Sequence, residues 1–290
     1  MNILVTGADG QLGRALRRAT DEARDRYLFT DAAELDVTDR EAVRRAVTEG
    51  RIDAIVNCAA YTDVDRAERD EAAAERLNAA AAGYLAAAAA ERGAVLIHLS
   101  TDYVFGGAAE HTPRTECDPV APLGVYGRTK RRGEEAVLAA GCPHLILRTA
   151  WLYGECGRNF VRTMLARMAA GADLKVVFDQ VGTPTYAGDL AAAIHRIVEE
   201  RLFEGRDGIY HYTDEGVCSW YDFARRIAEL GGYDPRCVRP CRTAEYPAAA
   251  PRPAYSVLDK SKFRHTFGAE IPYWSDSLRT CIENLRKELP

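Results

Sequence analysis

The chain of 290 residues carries 38 Lys and Arg residues against 43 Asp and Glu residues, a formal net charge of −5. This mildly acidic balance, with no basic run, argues against a nucleic-acid partner. No apolar stretch is long and pure enough to span a bilayer, and Met1 leads straight into an apolar strand, so we expect a cytoplasmic protein without a membrane partner. The length suits one large α/β domain with an attached lobe.

The first apolar run, residues 1–6, predicts a strand, and a glycine-rich turn with the spacing Gly-xx-Gly-xx-Gly follows it. We assign Gly7 to the tight turn, Gly10 to a close approach of the backbone to a pyrophosphate, and Gly13 to close packing of the next helix on the strand. That helix directs unpaired N–H groups and its positive dipole end at the phosphates. A glycine-rich turn without a ligand is the alternative, but the position at the first strand favours a dinucleotide site.

The second apolar stretch, residues 27–30, ends at Asp31, where an acidic residue would accept hydrogen bonds from the adenosine ribose. This position favours NADH. Arg14, Arg17 and Arg18 could instead bind a 2′-phosphate and admit NADPH, or they are solvated charges of the helix. NADPH and NADH therefore both stay open as cofactors.

Apolar strands and helical patterns then alternate along the first half of the chain. The predicted strands are 52–57, 94–99 and 145–149, and the predicted helices are an Ala-rich segment at 71–92 and a segment at 124–140. This alternation, with nearly continuous apolar strands, predicts a doubly wound parallel sheet of the Rossmann type, an α/β fold. Ligands of such sheets bind at the carboxyl ends of the strands. The segments 57–61, 100–103 and 148–151 would converge there.

The pattern changes from Trp151 onward, where turns become frequent and proline accumulates in residues 246–253. We expect a smaller C-terminal α/β substrate lobe that covers the open end of the sheet. The dinucleotide-binding domain is then 1–150 with a returning helix at about 187–203, and the lobe is 151–186 with 204–290. An amphipathic helix is predicted at 274–289.

Eight cysteines are scattered along the chain, and only Cys237 and Cys241 are close in sequence. No paired Cys or His cluster accompanies them. Free thiols in a reducing compartment are therefore the expectation, rather than disulfides or a zinc site.

Tyr126 and Lys130 lie four residues apart in the predicted helix at 124–140, and Thr101 follows the strand before it. Positions i and i+4 share one helix face, so the ammonium reaches both the phenol and the ribose of a cofactor. We expect Lys130, with help from an oxidised nicotinamide, to lower the pKa of Tyr126 from its ordinary value near ~10. The spacing alone is weak evidence, but the dinucleotide loop upstream favours a hydride-transfer site with a phenol acid. Thr101 could otherwise be a turn residue that caps the strand end.

These segments together resemble the extended, atypical branch of the short-chain dehydrogenase/reductase superfamily, and within it the dTDP-4-dehydrorhamnose reductases. The similarity runs nearly end to end, through residues 6–13, 35–39, 57–68, 100–107, 122–130, 148–154, 180–185 and 252–258. The stretch 57–68 is similar to the family's Asn-Ala-Ala-Tyr-Thr segment, with Cys58 in place of an alanine. The resemblance implies NADPH- or NADH-dependent reduction of the 4-keto group of dTDP-4-dehydro-6-deoxy-L-mannose to dTDP-L-rhamnose, by a monomer or homodimer.

The resemblance also implies roles for single residues. The implied catalytic residues are Thr101, Tyr126 and Lys130. The implied cofactor-binding residues, besides Tyr126 and Lys130, are Gly7, Gly10, Gln11, Leu12, Gly13, Asp31, Asp36, Val37, Ala59, Ala60 and Tyr61. The implied substrate-binding residues are Thr101, Asp102, Tyr103, Trp151, Thr183 and Arg252. Some family members dimerise through a metal held by a carboxylate in the first helix turn, but residues 13–16 contain no acid, so no metal is predicted.

Two of the implied substrate contacts have alternative interpretations. Trp151 could pack on the sugar or the pyrimidine, but a large aromatic side chain between two lobes is as often core. Arg252 could bind the substrate diphosphate in a bidentate geometry that suits guanidinium. It could equally form a surface ion pair.

Three other functions compete with the rhamnose-forming reductase. An epimerase or 4,6-dehydratase of the same superfamily is one, but a dehydratase needs Asp-Glu after the threonine, and here Tyr103 follows Asp102. A reductase for another nucleotide-linked 4-keto-deoxysugar is the second. The third is a non-catalytic regulatory subunit similar to the β subunit of methionine adenosyltransferase, which could retain the three catalytic residues for dinucleotide binding alone.

Overall fold

The structure is a computed structural model that describes residues 1–106, 111–246 and 248–287. Gly107, Pro247 and Leu289 belong to the segments 100–107, 246–253 and 274–289 of the sequence analysis, and all three lie outside the described residues.

A six-stranded sheet forms the centre of the molecule. The strands in chain order are β1 Asn2–Thr6, β2 Arg26–Thr30, β3 Ala54–Asn57, β4 Val95–Thr101, β5 His144–Thr149, β6 Leu152–Tyr153, β7 Leu174–Val177, β8 Val181–Gly182, β9 Thr185–Tyr186, β10 Gly208–His211, β11 Cys218–Ser219 and β12 Val238–Cys241. The central sheet has the order β10-β5-β4-β3-β1-β2, and every pair in it is parallel. The predicted doubly wound parallel sheet is therefore confirmed.

Helices cover both faces of this sheet. The α-helices of the described residues, in chain order, are α1 Gln11–Ala19, α2 Arg40–Glu49, α3 Val64–Ala67, α4 Glu71–Glu75, α5 Ala81–Arg92, α6 Val125–Ala140, α7 Phe160–Ala169, α8 Ala187–Glu199, α9 Trp220–Gly231, α10 Ser261–Phe267 and α11 Trp274–Lys287. Of these, α1, α8 and α10 pack on one face of the sheet, and α2, α5 and α6 pack on the other. The Ala-rich segment predicted as one helix at 71–92 is helical throughout, with a π-helical turn at Arg76–Ala80 that joins α4 to α5.

Two apolar layers hold the helices to the sheet. On one face Leu12 and Leu16 of α1 pack with Leu190 and Ile194 of α8. On the other face α2, α5 and α6 pack on the strands, and small side chains such as Ala82 and Ala86 let α5 lie close. Strand β3 is buried throughout, as expected for a parallel sheet covered on both sides.

A third apolar core belongs to the C-terminal half. It joins Tyr153 and Val161 to Phe223 of α9 and Leu278 of α11. Three two-stranded sheets, β6 with β9, β8 with β11, and β7 with β12, frame this core.

The division of the chain at residue 151 stays a prediction, and one strand departs from it. Strand β10 lies within 204–290, which the sequence analysis assigned to the lobe, yet it pairs with β5 at the edge of the central sheet. Helix α10 also packs on the central sheet through Phe263 and Phe267. These residues return because the apolar side chains of β10 and α10 complete a face that 1–150 leaves uncovered.

Candidate active site

The carboxyl ends of the central strands bring the predicted site residues together. Strands β1, β3, β4 and β5 all end at one edge, because they are parallel and in register. At the end of β1, the Thr6 hydroxyl donates to Asn57 Oδ1 at 2.8 Å. Asn57 Nδ2 lies 3.0 Å from His98 Nδ1. These buried bonds fix the strand ends from which the site segments begin.

The glycine turn is built by close backbone approaches. Gly7 has φ +65°, and a Cβ there would lie 2.6 Å from the backbone nitrogen of Ala59, so two predicted cofactor segments touch directly. A Cβ on Gly13 would lie 2.4 Å from the carbonyl oxygen of Gly7. Gly13 therefore allows α1 to pack on the turn itself, rather than on the strand as predicted. Gly10 immediately precedes α1 with extended backbone, and its contact with a pyrophosphate stays a prediction.

The first helix turn presents its backbone rather than its side chains to this site. The Leu12 side chain is buried in the core, so only its backbone N–H can reach a ligand. Gln11 has a buried Oε1 atom without a hydrogen-bond partner among the described residues. An acceptor left unpaired beside a glycine turn fits a bound group that carries hydroxyl donors.

Asp31 lies at the end of β2, beside the glycine turn. Its Oδ2 accepts from the backbone N–H of Asp9 at 2.8 Å, which ties it to the turn. Asp36 accepts from both the backbone N–H and the hydroxyl of Thr38, and these bonds lower the pKa of Asp36. Val37 is buried. This placement leaves the ribose contact of Asp31 and the cofactor contacts of Asp36 and Val37 as predictions.

Two of the three arginines proposed for a 2′-phosphate are engaged elsewhere. The Arg18 guanidinium donates to Glu155 at 2.8 Å. Arg17 lies over the ring of Phe29, 4.4 Å from its centroid. Arg14 Nε donates to the backbone carbonyl of Asp9 in the turn. Arg14 is therefore the one of these three arginines for which a contact with the glycine turn is observed.

Asn78 holds the segment Ala59–Ala60–Tyr61 in place, and the sequence analysis missed it. Its Oδ1 accepts from the Tyr61 N–H at 2.8 Å, and its Nδ2 donates to the Tyr61 carbonyl and to the Thr129 hydroxyl at 3.1 and 3.0 Å. The π-helical turn places Asn78 where these bonds form, and such turns are frequent at functional sites. The sequence did contain a signal for this role, since Asn78 is a polar amide within an Ala-rich helix.

The three predicted catalytic residues meet where β4 ends. Tyr126 and Lys130 lie on α6, and the Thr101 hydroxyl is near enough to the Tyr126 phenol to favour a lower pKa of that phenol. Thr101 Oγ1 also donates to Asp102 Oδ1 at 3.0 Å. The ring of Tyr103 packs edge-on against that of Tyr126, with centroids 5.4 Å apart. The strand-end cap considered for Thr101 is present too, since Thr101 accepts from the Tyr103 N–H.

The protonation of Tyr126 differs from the expectation. Burial raises the pKa of Tyr126 to about 12, against the lowering effect of the Thr101 hydroxyl. Burial also lowers the pKa of Lys130 to about 8, with Glu134 opposing the shift. Lys130 Nζ donates to the Leu99 carbonyl at 2.5 Å. The expected lowering of the phenol pKa by Lys130 is thus wrong for this structure, because desolvation dominates. A phenol protonated at neutral pH is the form that a proton donor requires.

The residue that follows Thr101 is an acid, Asp102. Asp102 is almost fully buried, and burial raises its pKa to about 6. The next side chain is the phenol of Tyr103. The adjacent pair of carboxyls that a dehydratase uses is therefore absent at this position.

A buried ionic network lies beneath the triad and was also missed. Glu134, one helical turn after Lys130, accepts from Arg148 Nε and Nη2 at 2.8 and 2.7 Å. It also accepts from the Ser100 hydroxyl at 2.6 Å. Charges buried this deeply persist when they are paired and hydrogen-bonded. The network ties α6 to the ends of β4 and β5.

A cavity of about 1000 Å³ adjoins Tyr103. Its lining combines cations with aromatic rings: Arg158, Arg167, Lys175 and Arg252, and Phe160, Trp220 and Tyr246. Except for Arg252, the sequence analysis singled out none of these residues. Arg158 precedes α7, Tyr246 and Arg252 follow β12, and the others belong to α7, β7 and α9, so no local spacing connects them.

The structure places the predicted substrate residues of the lobe differently from one another. Arg252 lines the cavity, and its Nη2 donates to Asp65 at 2.8 Å. Trp151 has φ +48° and stacks on Trp220 with ring centroids 3.6 Å apart, so it supports a ring that lines the cavity without lining the cavity itself. Thr183 is fully buried, and its hydroxyl donates to the Gly216 carbonyl at 2.7 Å. The Thr183 hydroxyl is therefore engaged in a hydrogen bond between two backbone segments, and Thr183 does not line the cavity.

Metal sites and membrane-spanning helices are two further features to consider in this chain. Within residues 1–106, 111–246 and 248–287, no group of three or more His, Cys, Asp or Glu side chains could hold a metal ion. No helix in that part of the chain has the length and apolar character needed to cross a membrane. All eight cysteines are free thiols.

Comparison with known proteins places this geometry among reductases of nucleotide sugars. The family model described as RmlD substrate binding domain matches residues 1–287. A probable dTDP-4,6-dihydroxy-2-methyloxan-3-one 4-ketoreductase of Streptomyces antibioticus is 48% identical, with 98% of this chain and 96% of that protein covered. The crystal structure of a dTDP-4-dehydrorhamnose reductase of Clostridium acetobutylicum has a TM-score of 0.92 at 42% identity, over 99% of this chain and 100% of that one. That of Bacillus anthracis, in complex with NADP, has a TM-score of 0.91 at 35% identity, over 98% and 99%.

Proposed function

The chain belongs to the RmlD substrate binding domain family, and we propose that it reduces the 4-keto group of dTDP-4-dehydro-6-deoxy-L-mannose to give dTDP-L-rhamnose, with NADPH or NADH. The observation that carries this proposal is the meeting of Thr101, Tyr126 and Lys130 at the end of β4, beside the glycine turn. A hydroxyl, a phenol and an ammonium at one point suit proton delivery to a carbonyl oxygen.

The residues present fit a dinucleotide. Gly7 and Gly13 form a turn so close that a Cβ at either position would collide with backbone. The amino end of α1 follows directly, where N–H groups can bind phosphate oxygens. When bound, the reduced nicotinamide supplies the hydride for the carbonyl carbon. Lys130 would hold the ribose hydroxyls near the phenol.

The triad moves the proton in this proposal. Thr101 donates a hydrogen bond to the 4-keto oxygen and holds it against Tyr126. Tyr126 then gives its phenolic proton to that oxygen, and its raised pKa keeps the proton in place until then. General acid help of this type contributes about 10²–10⁴-fold, and positioning contributes much of the remainder.

The cavity suits the dTDP portion of the substrate. Its cations, Arg158, Lys175 and Arg252, can neutralise a diphosphate, and guanidinium groups bind such oxygens in pairs. Phe160 and Trp220 offer apolar ring faces to a pyrimidine. These contacts are proposals, and they depend on side chains that lie within one cavity next to Tyr103.

The second candidate is a reductase of another dTDP-linked 4-keto-deoxysugar. The Streptomyces antibioticus relative favours it, since that protein's name gives a different sugar at 48% identity. A regulatory dinucleotide-binding subunit is the third candidate, and it predicts binding without turnover. A monomer or homodimer that works in the cytoplasm stays a prediction, and the eight free thiols support a reducing compartment.

A spectrophotometric assay with both cofactors on enzymatically made dTDP-4-dehydrorhamnose tests the proposal, with product stereochemistry read by NMR. We expect cofactor oxidation and a rhamnosyl product. Oxidation only with a different dTDP-4-keto sugar would support the second candidate. Cofactor binding without oxidation above background would contradict both reductase assignments.

A further inference from the structure

Two acids at the end of the segment 57–68 have no role in the mechanism above. Asp65 lies in the short helix α3, and Glu68 follows its last residue. This helix comes directly after the predicted cofactor segment 59–61. Ala67, on the same helix, is fully buried and packs with Val125 and Tyr126.

Glu68 supplies the cap that the catalytic helix lacks. Gly124 precedes α6 with extended backbone and no side chain, and no acid lies in the first turn of α6. Glu68 Oε1 instead accepts from the backbone N–H of Val125 at 2.8 Å. A carboxylate at a helix N-terminus satisfies an orphan donor and interacts favourably with the helix dipole. The capped residue directly precedes Tyr126.

The backbone at Gly124 is shaped around this carboxylate. A Cβ at Gly124 would lie 2.6 Å from Glu68 Oε1 and 3.6 Å from Pro251 Cδ. Any side chain at position 124 would therefore displace the carboxylate. The same glycine brings the loop that contains Arg252 next to the start of α6.

Asp65 holds that loop from the other side. Its Oδ1 accepts from the Ala250 N–H at 2.9 Å, and its Oδ2 accepts from Arg252 Nη2 at 2.8 Å. These hydrogen bonds, led by the one from Arg252, lower the pKa of Asp65. The half-buried pair lies at the cavity wall, because Asp65 and Arg252 both line it.

We propose that α3 is a bracket between the two binding regions, in which Glu68 positions Tyr126 through the start of α6 and Asp65 positions Arg252 toward the nucleotide sugar. Both acids are positioning residues, because each acts through another side chain. If α3 acts as this bracket, loss of each acid should change a different kinetic constant. Loss of Glu68 misplaces the proton donor and lowers kcat, whereas loss of Asp65 frees Arg252 and raises KM for the nucleotide sugar.

The Glu68 arm is tested by Glu68→Ala and Glu68→Gln. We expect Glu68→Ala to lower kcat about tenfold with KM for both ligands within about twofold. Glu68→Gln keeps an acceptor oxygen for the Val125 N–H, so it should retain most of kcat. Asp53→Ala is the matched control, since Asp53 Oδ2 accepts from the Asn2 N–H at 2.8 Å at the opposite end of the sheet. It should lower the melting temperature similarly and leave kcat unchanged.

The Asp65 arm is tested by Asp65→Ala, Arg252→Ala and the double variant. We expect each single change to raise KM for the nucleotide sugar about tenfold while kcat stays within about twofold. The double variant should raise KM by clearly less than the two single effects combined, because Asp65 and Arg252 act as one pair. Additive losses in the double variant would overturn this arm.

The inference rests on the proposed function only for its kinetic readout. Inactive wild-type protein would contradict the proposed function, whereas active wild type with unchanged kcat in Glu68→Ala would overturn the Glu68 arm alone. Amide hydrogen exchange needs no turnover and tests the same arm. Residues 125–130 should exchange faster in Glu68→Ala than in wild type or Asp53→Ala, and equal exchange in all three would overturn the bracket.

Discussion

The candidate site has two sides, the predicted dinucleotide side at the strand ends and the side of the cavity next to Tyr103. The two sides hold their predicted functional residues by different means. On the dinucleotide side, the predicted residues follow the ends of β1, β2, β3 and β4, and the glycine turn is fixed by contacts between backbone atoms. On the side of the cavity, much of the lining comes from α7, β7, α9 and the segment around Arg252. These residues are held by contacts between side chains, such as Arg252 with Asp65 and Trp220 with Trp151. The contrast shows why chemistry and specificity separate here. The proposed chemistry depends on the ends of a regular sheet, whereas the proposed substrate contacts depend on side chains from elements that are distant in the sequence.

Loss of the Tyr126 hydroxyl tests the sheet side most severely. We expect Tyr126→Phe to lower kcat by about 10²–10⁴-fold, because the phenol is the proposed proton donor, while the retained ring preserves packing on Tyr103. Lys130→Met should also lose most turnover. Cofactor oxidation measures the rate, and Tyr84→Phe on α5 is the control for removing a half-buried tyrosine hydroxyl. A Tyr126→Phe rate near wild type would show that another donor operates.

The buried Asp102 should make stability depend on pH. Burial raises its pKa from 3.8 to about 6, so folding favours the protonated form. Its contribution to stability is then fully present below about pH 4 and is lost as pH rises through 6. Asp102→Asn cannot ionise, so its free energy of unfolding should exceed that of wild type increasingly with pH, by about 3 kcal/mol more above pH 7 than at pH 4. Urea unfolding at both pH values measures this, and a difference independent of pH would contradict it.

Gly13→Ala tests whether the glycine turn is built on backbone contact. The added Cβ would lie 2.4 Å from the Gly7 carbonyl oxygen, so α1 must shift. We expect a loss of about 2 kcal/mol in stability and weaker cofactor binding. Thermal unfolding and calorimetric titration with NADP measure the two effects. Gly83→Ala on α5 is the control, because its Cβ would meet only a side-chain carbon at 3.3 Å. Unchanged cofactor affinity in Gly13→Ala would contradict the prediction that the glycine turn binds the cofactor.

The smallest expected effect lies on the side of the cavity. Lys175→Ala should raise KM for the nucleotide sugar about threefold and leave kcat unchanged, because one exposed cation among several contributes little. Arg239→Ala is matched to it, since Arg239 is exposed and lies opposite Lys175 in the pair of β12 with β7, but outside the cavity lining. A fall in kcat for Lys175→Ala would contradict the proposal that the cavity contributes to substrate binding and not to the chemical step.

Local spacing was sufficient to predict the sheet side. A short local sequence pattern defines each of its features, namely the glycine turn, the pair of Tyr126 with Lys130, and the strand ends. The direction of the Tyr126 pKa shift was missed, because it depends on how deeply the folded chain buries the phenol. The packing partner of Gly13 was missed because it depends on the path of the turn.

The remaining features depend on contacts between distant segments. Asn78, the pair of Glu134 with Arg148, and the cavity residues Arg158 and Trp220 acquire their partners only when separate elements meet. Thr183 shows the reverse case, since a turn uses the hydroxyl that the resemblance assigned to substrate. No periodicity in the sequence distinguishes these positions from ordinary core or surface.

Strand β10 has a consequence for how the chain can be divided. It joins the central sheet only after the chain has passed through much of the lobe, and α8 and α10 then cover the same sheet face. A fragment that ends near residue 150 would expose the edge of β5 and the apolar face that includes Leu145 and Leu147. Open edges and bare apolar faces promote aggregation. Recombination with a relative should therefore exchange lobe segments on both sides of β10, never the C-terminal half as one block.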